Sequence, residues 1–164
     1  MKKIFTLFMV AITALLFGAS AFVSAETSNN VGGTIVSETT EYFEDGTSFS
    51  IIVCDETEVT PYASAYTKTG SKYYILRNKN GSELWRFTVH GTFTVNPGVS
   101  ASCTKSSHSI SITENAWQNK SASTSRSANK AIGDATFIKK LLGITVETKS
   151  CHVVLTCDNN GNFS

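Results

Sequence analysis

The chain has 164 residues and a formal net charge of +1. This near-neutral total conceals a split, because residues 26–60 contain eight acidic residues and no Lys or Arg, whereas residues 61–164 contain twelve basic and five acidic residues. The length suits one small domain and argues against two. The charge asymmetry indicates an acidic tail, a domain that binds polyanions, or an acidic segment that neutralises the positive charge of the neighbouring segment.

The first 25 residues have the features of a secretory signal peptide. Lys2 and Lys3 precede an apolar run from Ile4 to Phe17, and Val23-Ser24-Ala25 matches the small-residue pattern of a cleavage site. The apolar run is too short for a membrane span, and no later run approaches the length that a bilayer requires. We therefore expect cleavage after Ala25 and a secreted, extracellular protein.

Residues 26–60 form an acidic segment with a predicted hairpin. Two β-rich runs, Glu41–Phe43 and Phe49–Val53, flank an Asp45-Gly46 pair, and Asp-Gly between such runs favours a hairpin turn. Because an isolated hairpin is only marginally stable, we expect it to dock on the body, to pair with another molecule, or to belong to a pro-region that is removed. Pro61 marks a break before residues 61–164.

Residues 61–164 are predicted to form an antiparallel all-β domain, because short β-type runs alternate with turn residues. Ser121–Lys130 is interpreted as a loop or an edge strand, and Lys139–Gly143 as a helix-like turn that is too short to be more. The predicted strands are Lys72–Arg77, Ser82–Val95, Val99–Thr104, Ser109–Thr113, Ala116–Lys120, Ala131–Ile138 and Thr145–Cys157.

The stretch Ser82–Val95 organises this domain, because its side chains alternate between an apolar and a polar face. We expect the apolar face to pack on a second sheet that carries Trp117, and Gly91 to mark a bulge or a close backbone approach. The apolar face consists of Trp85, Phe87, Val89, Phe93 and Val95. The polar row, a candidate binding surface, consists of Arg86, Thr88, His90, Thr92 and Thr94.

All four cysteines, Cys54, Cys103, Cys151 and Cys157, lie in the part expected to be exported. An even count in an oxidising compartment favours disulfides over metal or redox chemistry. Three pairings are possible, and the spacing alone does not choose among them.

The order and spacing of Cys103, Trp117 and Cys157 resemble those of an immunoglobulin-type sandwich, in which a tryptophan packs on an inter-sheet disulfide. The resemblance implies a Cys103–Cys157 bond, which leaves Cys54 to pair with Cys151. Leu155 departs from the pattern, since immunoglobulin domains usually have tyrosine two residues before the second cysteine. The expected fold class is therefore an all-β, immunoglobulin-like antiparallel sandwich with an N-terminal acidic hairpin segment.

The exported region also resembles a group of small secreted β-rich proteins of Gram-positive bacteria that has no established activity. The shared motifs are Glu41–Gly46, Leu84-Trp85, Gly91–Thr94, Cys103-Thr104, Leu141–Val146, Leu155–Cys157 and Gly161. The resemblance implies export and a β-fold, and it transfers no functional site.

No catalytic or metal-binding constellation is predicted. His90 and His152 share the polar parity of their strands, but the third ligand that a metal site needs cannot be placed. His108 lies among serines, yet a catalytic triad assembles in space and no nucleophile motif is present. Glu83 and Glu114 are not placed as a facing carboxylate pair, so glycosidase chemistry has no support. We therefore expect neither a catalytic residue nor a cofactor.

The basic residues after Pro61 are spread along the chain and predict attraction to anionic cell-wall polymers or membrane surfaces, with a plain mixed-charge surface as the alternative. Lys139, Lys140, Leu141 and Leu142 are interpreted either as an exposed apolar tip that touches a membrane or partner, or as core residues at a strand end. No nucleic-acid partner is expected.

The expected function is that of a secreted, non-enzymatic β-sandwich that binds a protein partner or an anionic cell-surface polymer. The alternative is a secreted effector or antimicrobial protein whose acidic segment is a pro-region. A hydrolase would need a pocket that gathers His90 or His108 with a carboxylate and a nucleophile.

Overall fold

The computed structural model describes residues 31–57 and 64–164. In these ranges the regular elements are all β-strands, and no helix is long and apolar enough to cross a membrane. The predicted signal peptide, its cleavage site and the break at Pro61 lie outside the described residues. The strands are β1 (Thr34–Tyr42), β2 (Ser48–Asp55), β3 (Tyr66–Arg77), β4 (Glu83–Asn96), β5 (Ser100–Ile112), β6 (Trp117–Ser127), β7 (Lys130–Leu141) and β8 (Ile144–Thr156).

The strands form two antiparallel sheets, one of five strands in the order β1-β2-β3-β4-β5 and one of three in the order β6-β7-β8. The prediction of an all-β, antiparallel domain is confirmed. The immunoglobulin-like arrangement is not confirmed, because such sandwiches use Greek-key connections, whereas each sheet here is a series of hairpins between consecutive strands.

The inward face of β4 forms the centre of the core that the two sheets share. Trp85, Phe87 and Val89 are fully buried on this face. The Trp85 indole stacks on the Phe137 ring of β7 with a centroid distance of 3.9 Å, and its centroid lies 6.1 Å from that of Trp117 on β6. The prediction that this face packs on a second sheet carrying Trp117 is confirmed.

Two glycines allow side chains to pack closely against the backbone. A Cβ atom added at Gly133 on β7 would lie 2.3 Å from Cγ2 of Val89 on the opposing sheet, and one added at Gly91 would lie 2.4 Å from the ring of Phe93. The close approach predicted at Gly91 is confirmed. The β4–β5 register shifts between Thr92 and Phe93, where Thr104 is an extra residue in β5, so the bulge lies in β5 and not at Gly91.

The first two strands belong to the five-stranded sheet. β2 pairs with β3 along its whole length, from Ser48 opposite Arg77 to Asp55 opposite Gly70. Phe49 of β2 is buried in the core shared by both sheets. Of the alternatives predicted for the acidic segment, docking on the body agrees with this pairing, and a separate acidic hairpin is not confirmed.

The polar segments after Pro97 are longer strands than the sequence predicts. Val99–Thr104 and Ser109–Thr113 belong to one continuous strand, β5, and most of Ser121–Lys130 forms the edge strand β6. The intervening serines and threonines lie at the edges of the two sheets, where hydroxyl groups remain in contact with water, so low hydrophobicity does not prevent strand formation.

The four cysteines are buried and free in the structure. Cys54 lies in a small buried cluster with Ile52 and Ile75, separate from the shared core that contains Cys151. The expected Cys54–Cys151 bond is therefore absent, because the two thiols belong to different clusters. Cys103 and Cys157 both lie in the shared core. The Cys103 amide donates a hydrogen bond to the carbonyl oxygen of Ala128 at 2.8 Å, and the Cys157 amide donates one to the carbonyl oxygen of Asn129, the next residue, at 3.1 Å.

Candidate functional site

The edges of the two sheets lie side by side along β5 and β6 and border an open surface cavity of about 370 Å³. We call this cavity the edge groove. Three of its residues come from β5 and three from β6. They are Thr104, Lys105, Ser106, Thr124, Ser125 and Arg126.

The edge groove is positively charged. Lys105 and Arg126 are its charged residues, and neither β5 nor β6 contains an acidic residue. The Arg126 guanidinium donates a hydrogen bond to the carbonyl oxygen of Thr104, which ties the two strands together. Lys105 forms no salt bridge within the described ranges. An anion entering the groove therefore meets two cations and no carboxylate on its walls.

A buried hydroxyl adds a second polar feature to this groove. Ser106 Oγ is buried and has no hydrogen-bond partner among the described residues. Buried polar atoms in native proteins usually have such a partner, so this hydroxyl would gain a hydrogen bond if a rotation of the Ser106 side chain brought it to a group bound in the groove. Hydroxyl donors beside a guanidinium and an ammonium suit an oxyanion such as a phosphate or sulfate.

The local sequence explains why the groove is polar. β5 and β6 are the adjoining edge strands of their sheets, and alternating Ser, Thr, Lys and Arg side chains keep these edges hydrated. Basic residues on edge strands also discourage pairing with another chain. The same composition thus protects the edges and creates the positive groove.

The polar row of β4 lies on the outer face of the five-stranded sheet, but it is only partly solvated. Thr88 is buried, and Arg86 pairs with Glu83 at 2.6 Å while its guanidinium lies 5.6 Å from the centroid of the Tyr73 ring. Thr92 is half-buried, and Thr94 at the end of the row is exposed. The row is therefore not a continuous wet surface.

His90, in the same row, contacts hydroxyl groups on both sides. Its Nδ1 lies 2.6 Å from Ser71 Oγ on β3, and its Nε2 lies 3.0 Å from Ser109 Oγ on β5. A serine nucleophile needs a carboxylate on the far ring nitrogen to stabilise the imidazolium that forms. In this site the second ring nitrogen faces the buried Ser71 hydroxyl, so the arrangement is a cross-strand hydrogen-bond network.

His152 lies on the outer face of the smaller sheet and pairs with Asp134 at 2.6 Å. A neighbouring cavity of about 350 Å³ is lined by both residues and by Ser123. In the strand register Asp134 lies between Ser123 and His152, whereas a Ser-His-Asp triad places the histidine between the other two. The strand register therefore gives the imidazole an orienting carboxylate and places Ser123 on the far side of that carboxylate.

The histidines and cysteines of the described residues do not form a metal-binding group. His90 and His152 lie in different sheets, so they are not paired across neighbouring strands. No group of three or more His, Cys, Asp or Glu residues within the described chain could hold a metal ion. Burial raises the pKa of Cys54 to about 11 and of Cys151 to about 12, so both are protonated, weakly nucleophilic thiols near neutral pH.

The β7–β8 hairpin places Leu141 and Leu142 in solvent, with 65% and 95% of their surfaces exposed. The interpretation of these leucines as core residues is therefore wrong. The turn predicted over Lys139–Gly143 is confined to Leu142-Gly143 and is not helix-like, because β7 continues to Leu141 and pairs with β8. Lys139 and Lys140 are half-buried on this hairpin.

The edge groove is a candidate site that the sequence does not predict. Its residues lie about 20 positions apart along the chain, and they meet only because β5 and β6 end their sheets side by side. A detectable signal was present, since residues 99–113 and 115–133 contain four Lys or Arg residues and no acidic residue.

The chain matches no protein-family model, and no curated protein or solved structure shows significant similarity to it.

Proposed function

We propose that this protein is an exported, non-enzymatic β-sandwich that binds an anionic cell-surface polymer through the edge groove. The observation that carries the proposal is the joint presence of Lys105, Arg126 and the unpartnered Ser106 hydroxyl on walls without a carboxylate. This donor set fits the phosphate or sulfate groups of a polymer chain.

The edge groove suits a repeating ligand better than a small tightly held one. Lys105 and Arg126 are exposed, and exposed charges contribute modest energies that salt screens. A polymer presents many identical anions at high local concentration, so weak contacts at one groove still retain the protein on a surface. We therefore expect binding that weakens as the salt concentration rises.

Export is supported by the signal-like composition of the first 25 residues. In an oxidising compartment we expect Cys103 and Cys157 to form a disulfide, because both lie in the shared core and their backbones bond to adjacent residues of the β6–β7 turn. Retention of residues 26–60 is supported by β2, which supplies Phe49 and Val53 to that core. This contribution argues against the pro-region alternative.

The test is retention of the protein on bacterial cell walls, before and after chemical removal of their phosphate polymers. We expect the parent protein to be retained on intact walls at low salt, and released as salt is added. The double variant Lys105→Gln/Arg126→Gln should lose most of this retention. A Ser106→Ala variant should bind more weakly than the parent.

The matched control is Lys79→Gln, because Lys79 is an exposed lysine in the β3–β4 turn, away from the edge groove. This variant should be retained like the parent. Equal retention of the parent and the groove variant, or retention that survives removal of the phosphate polymers, would show that the groove does not bind them.

A further inference from the structure

The tip of the β7–β8 hairpin exposes four apolar side chains, Leu141, Leu142, Ile144 and Val146, which we call the apolar tip. Their exposed fractions are 65%, 95%, 69% and 55%. Single exposed hydrophobic residues are common on proteins, but a contiguous apolar group that projects from a fold marks an interaction site. The edge groove does not include these residues.

The backbone at this turn gives an independent reason to look for a function. Leu142 has a φ angle of 50° and Gly143 one of 82°. Two-residue hairpin turns with two positive φ angles favour Asn-Gly or Asp-Gly, since a leucine side chain is strained in the left-handed region. The chain therefore has leucine at a position where asparagine fits the backbone better, and it exposes that leucine almost completely. Neither the turn nor the core explains this choice.

The charges beside the apolar tip are mostly positive: Lys139 and Lys140 lie next to it on β7, and Glu147 of β8 lies opposite Lys139 in the strand register. Glu147 pairs with Lys149 at 3.2 Å, whereas Lys139 and Lys140 form no salt bridge within the described ranges. Lys139 and Lys140 lie two to three residues before Leu142, which places them about 7–10 Å behind it along the strand. Apolar side chains of interfacial segments are buried about 5–10 Å into the boundary between headgroups and acyl chains. With Leu142 at that depth, Lys139 and Lys140 would lie among the headgroups.

We propose that the apolar tip inserts into the interface of an anionic lipid bilayer, with Lys139 and Lys140 contacting the headgroups. A stable protein interface uses about 20–30 residues on each side, far more than this hairpin end offers. In a symmetric pair formed through the tip, the same lysines would face each other and repel. A bilayer instead surrounds a projecting tip and supplies the opposite charge.

The test is co-flotation of the full-length protein with vesicles of phosphatidylcholine containing phosphatidylglycerol, and with vesicles of phosphatidylcholine alone. All variants share the same N-terminus, so any contribution of residues 1–25 is common to them. We expect binding to the anionic vesicles, weaker binding to the neutral ones, and a decrease in affinity of about tenfold or more for Leu142→Asn. Lys139→Gln/Lys140→Gln should reduce the difference between the two vesicle types.

Asparagine tolerates the left-handed backbone, so the Leu142→Asn variant should unfold in urea at the same midpoint as the parent or at a higher one. A loss of vesicle binding in this variant is therefore not caused by a loss of stability. The matched control is Val99→Asn, which removes an apolar side chain that is 71% exposed in the β4–β5 turn and should leave vesicle binding unchanged. The groove variant Lys105→Gln/Arg126→Gln should also keep its vesicle binding, which separates this proposal from the previous one. Parent-like flotation of Leu142→Asn overturns the inference, as does a concentration-dependent dimer that this substitution abolishes.

Discussion

Replacing Gly133 by alanine should destabilise the fold, because the two sheets leave no room for a methyl group at this position. The new Cβ atom would lie 2.3 Å from Cγ2 of Val89 and 3.0 Å from two ring atoms of Phe87, whereas carbon atoms pack best at about 3.5–4.0 Å. Val89 must therefore move by about 1 Å or more. Overpacking of this kind costs about 1–3 kcal/mol, and the lower entropy of the unfolded alanine variant offsets about 0.4–1 kcal/mol of it.

A second substitution tests whether the contact with Val89 causes this loss. Val89→Ala alone should destabilise the protein by about 2 kcal/mol, from the methyl groups removed and the cavity left behind. In the double variant the alanine methyl at position 133 occupies part of that cavity, while the Phe87 ring still presses on it. The double variant should therefore be more stable than the sum of the two losses predicts, with a coupling of about 1 kcal/mol or more.

The assay is equilibrium unfolding in urea followed by the fluorescence of Trp85 and Trp117, both of which are buried. Gly32→Ala is the matched control, because the nearest atom to its added Cβ would be 3.8 Å away and its backbone is not in the left-handed region. Its stability should stay within about 1 kcal/mol of the parent. Parent-like stability of Gly133→Ala, or strict additivity in the double variant, would refute the packing argument.

Two further predictions concern the secreted form and its cysteines. Protein recovered from the culture medium should begin at Glu26. Mass spectrometry of its peptides should find Cys103 and Cys157 in two peptides joined by a disulfide. A chain that begins after Thr60 would instead support the pro-region alternative. Burial raises the pKa of Cys151 from 9.0 to about 12, so the native state keeps a proton that the unfolded chain loses, and stability should fall as the pH rises from 9 through 12. Cys151→Ala should show a smaller fall in urea midpoint above pH 9, and an identical fall would contradict this assignment.

The sequence predicts the strands well where one face of a strand is buried. The alternation from Trp85 to Val95 identifies β4 and its core face, and the buried residues Cys151, Val153 and Leu155 of β8 alternate along the sequence in the same way. Strict side-chain parity links sequence to burial directly in such strands. In β5 and β6 both faces are polar at many positions, so the alternation of side chains does not show which face is buried. The lengths of these two strands are clear only from their pairing with β4 and β7.

The candidate site was less predictable because it depends on which strands become neighbours. Nothing local assigns His90 and His152 to different sheets, or brings Lys105 close to Arg126. Leu141 and Leu142 were ambiguous for a related reason, since an apolar pair at a strand end is usually core. The hairpin turn at Leu142 overrides this expectation and directs the side chains into solvent.

The hairpin-only connectivity of the two sheets has a kinetic consequence. Every paired strand is joined to its partner by a short connection, the longest being residues 56–65 between β2 and β3. Loop closure is therefore inexpensive in entropy, and contacts between strands are local for a β-protein, which favours rapid folding. Each hairpin can form once its second strand has emerged from the ribosome. Only the docking of the two sheets, across the Thr113–Ala116 link, has to wait for the end of the chain.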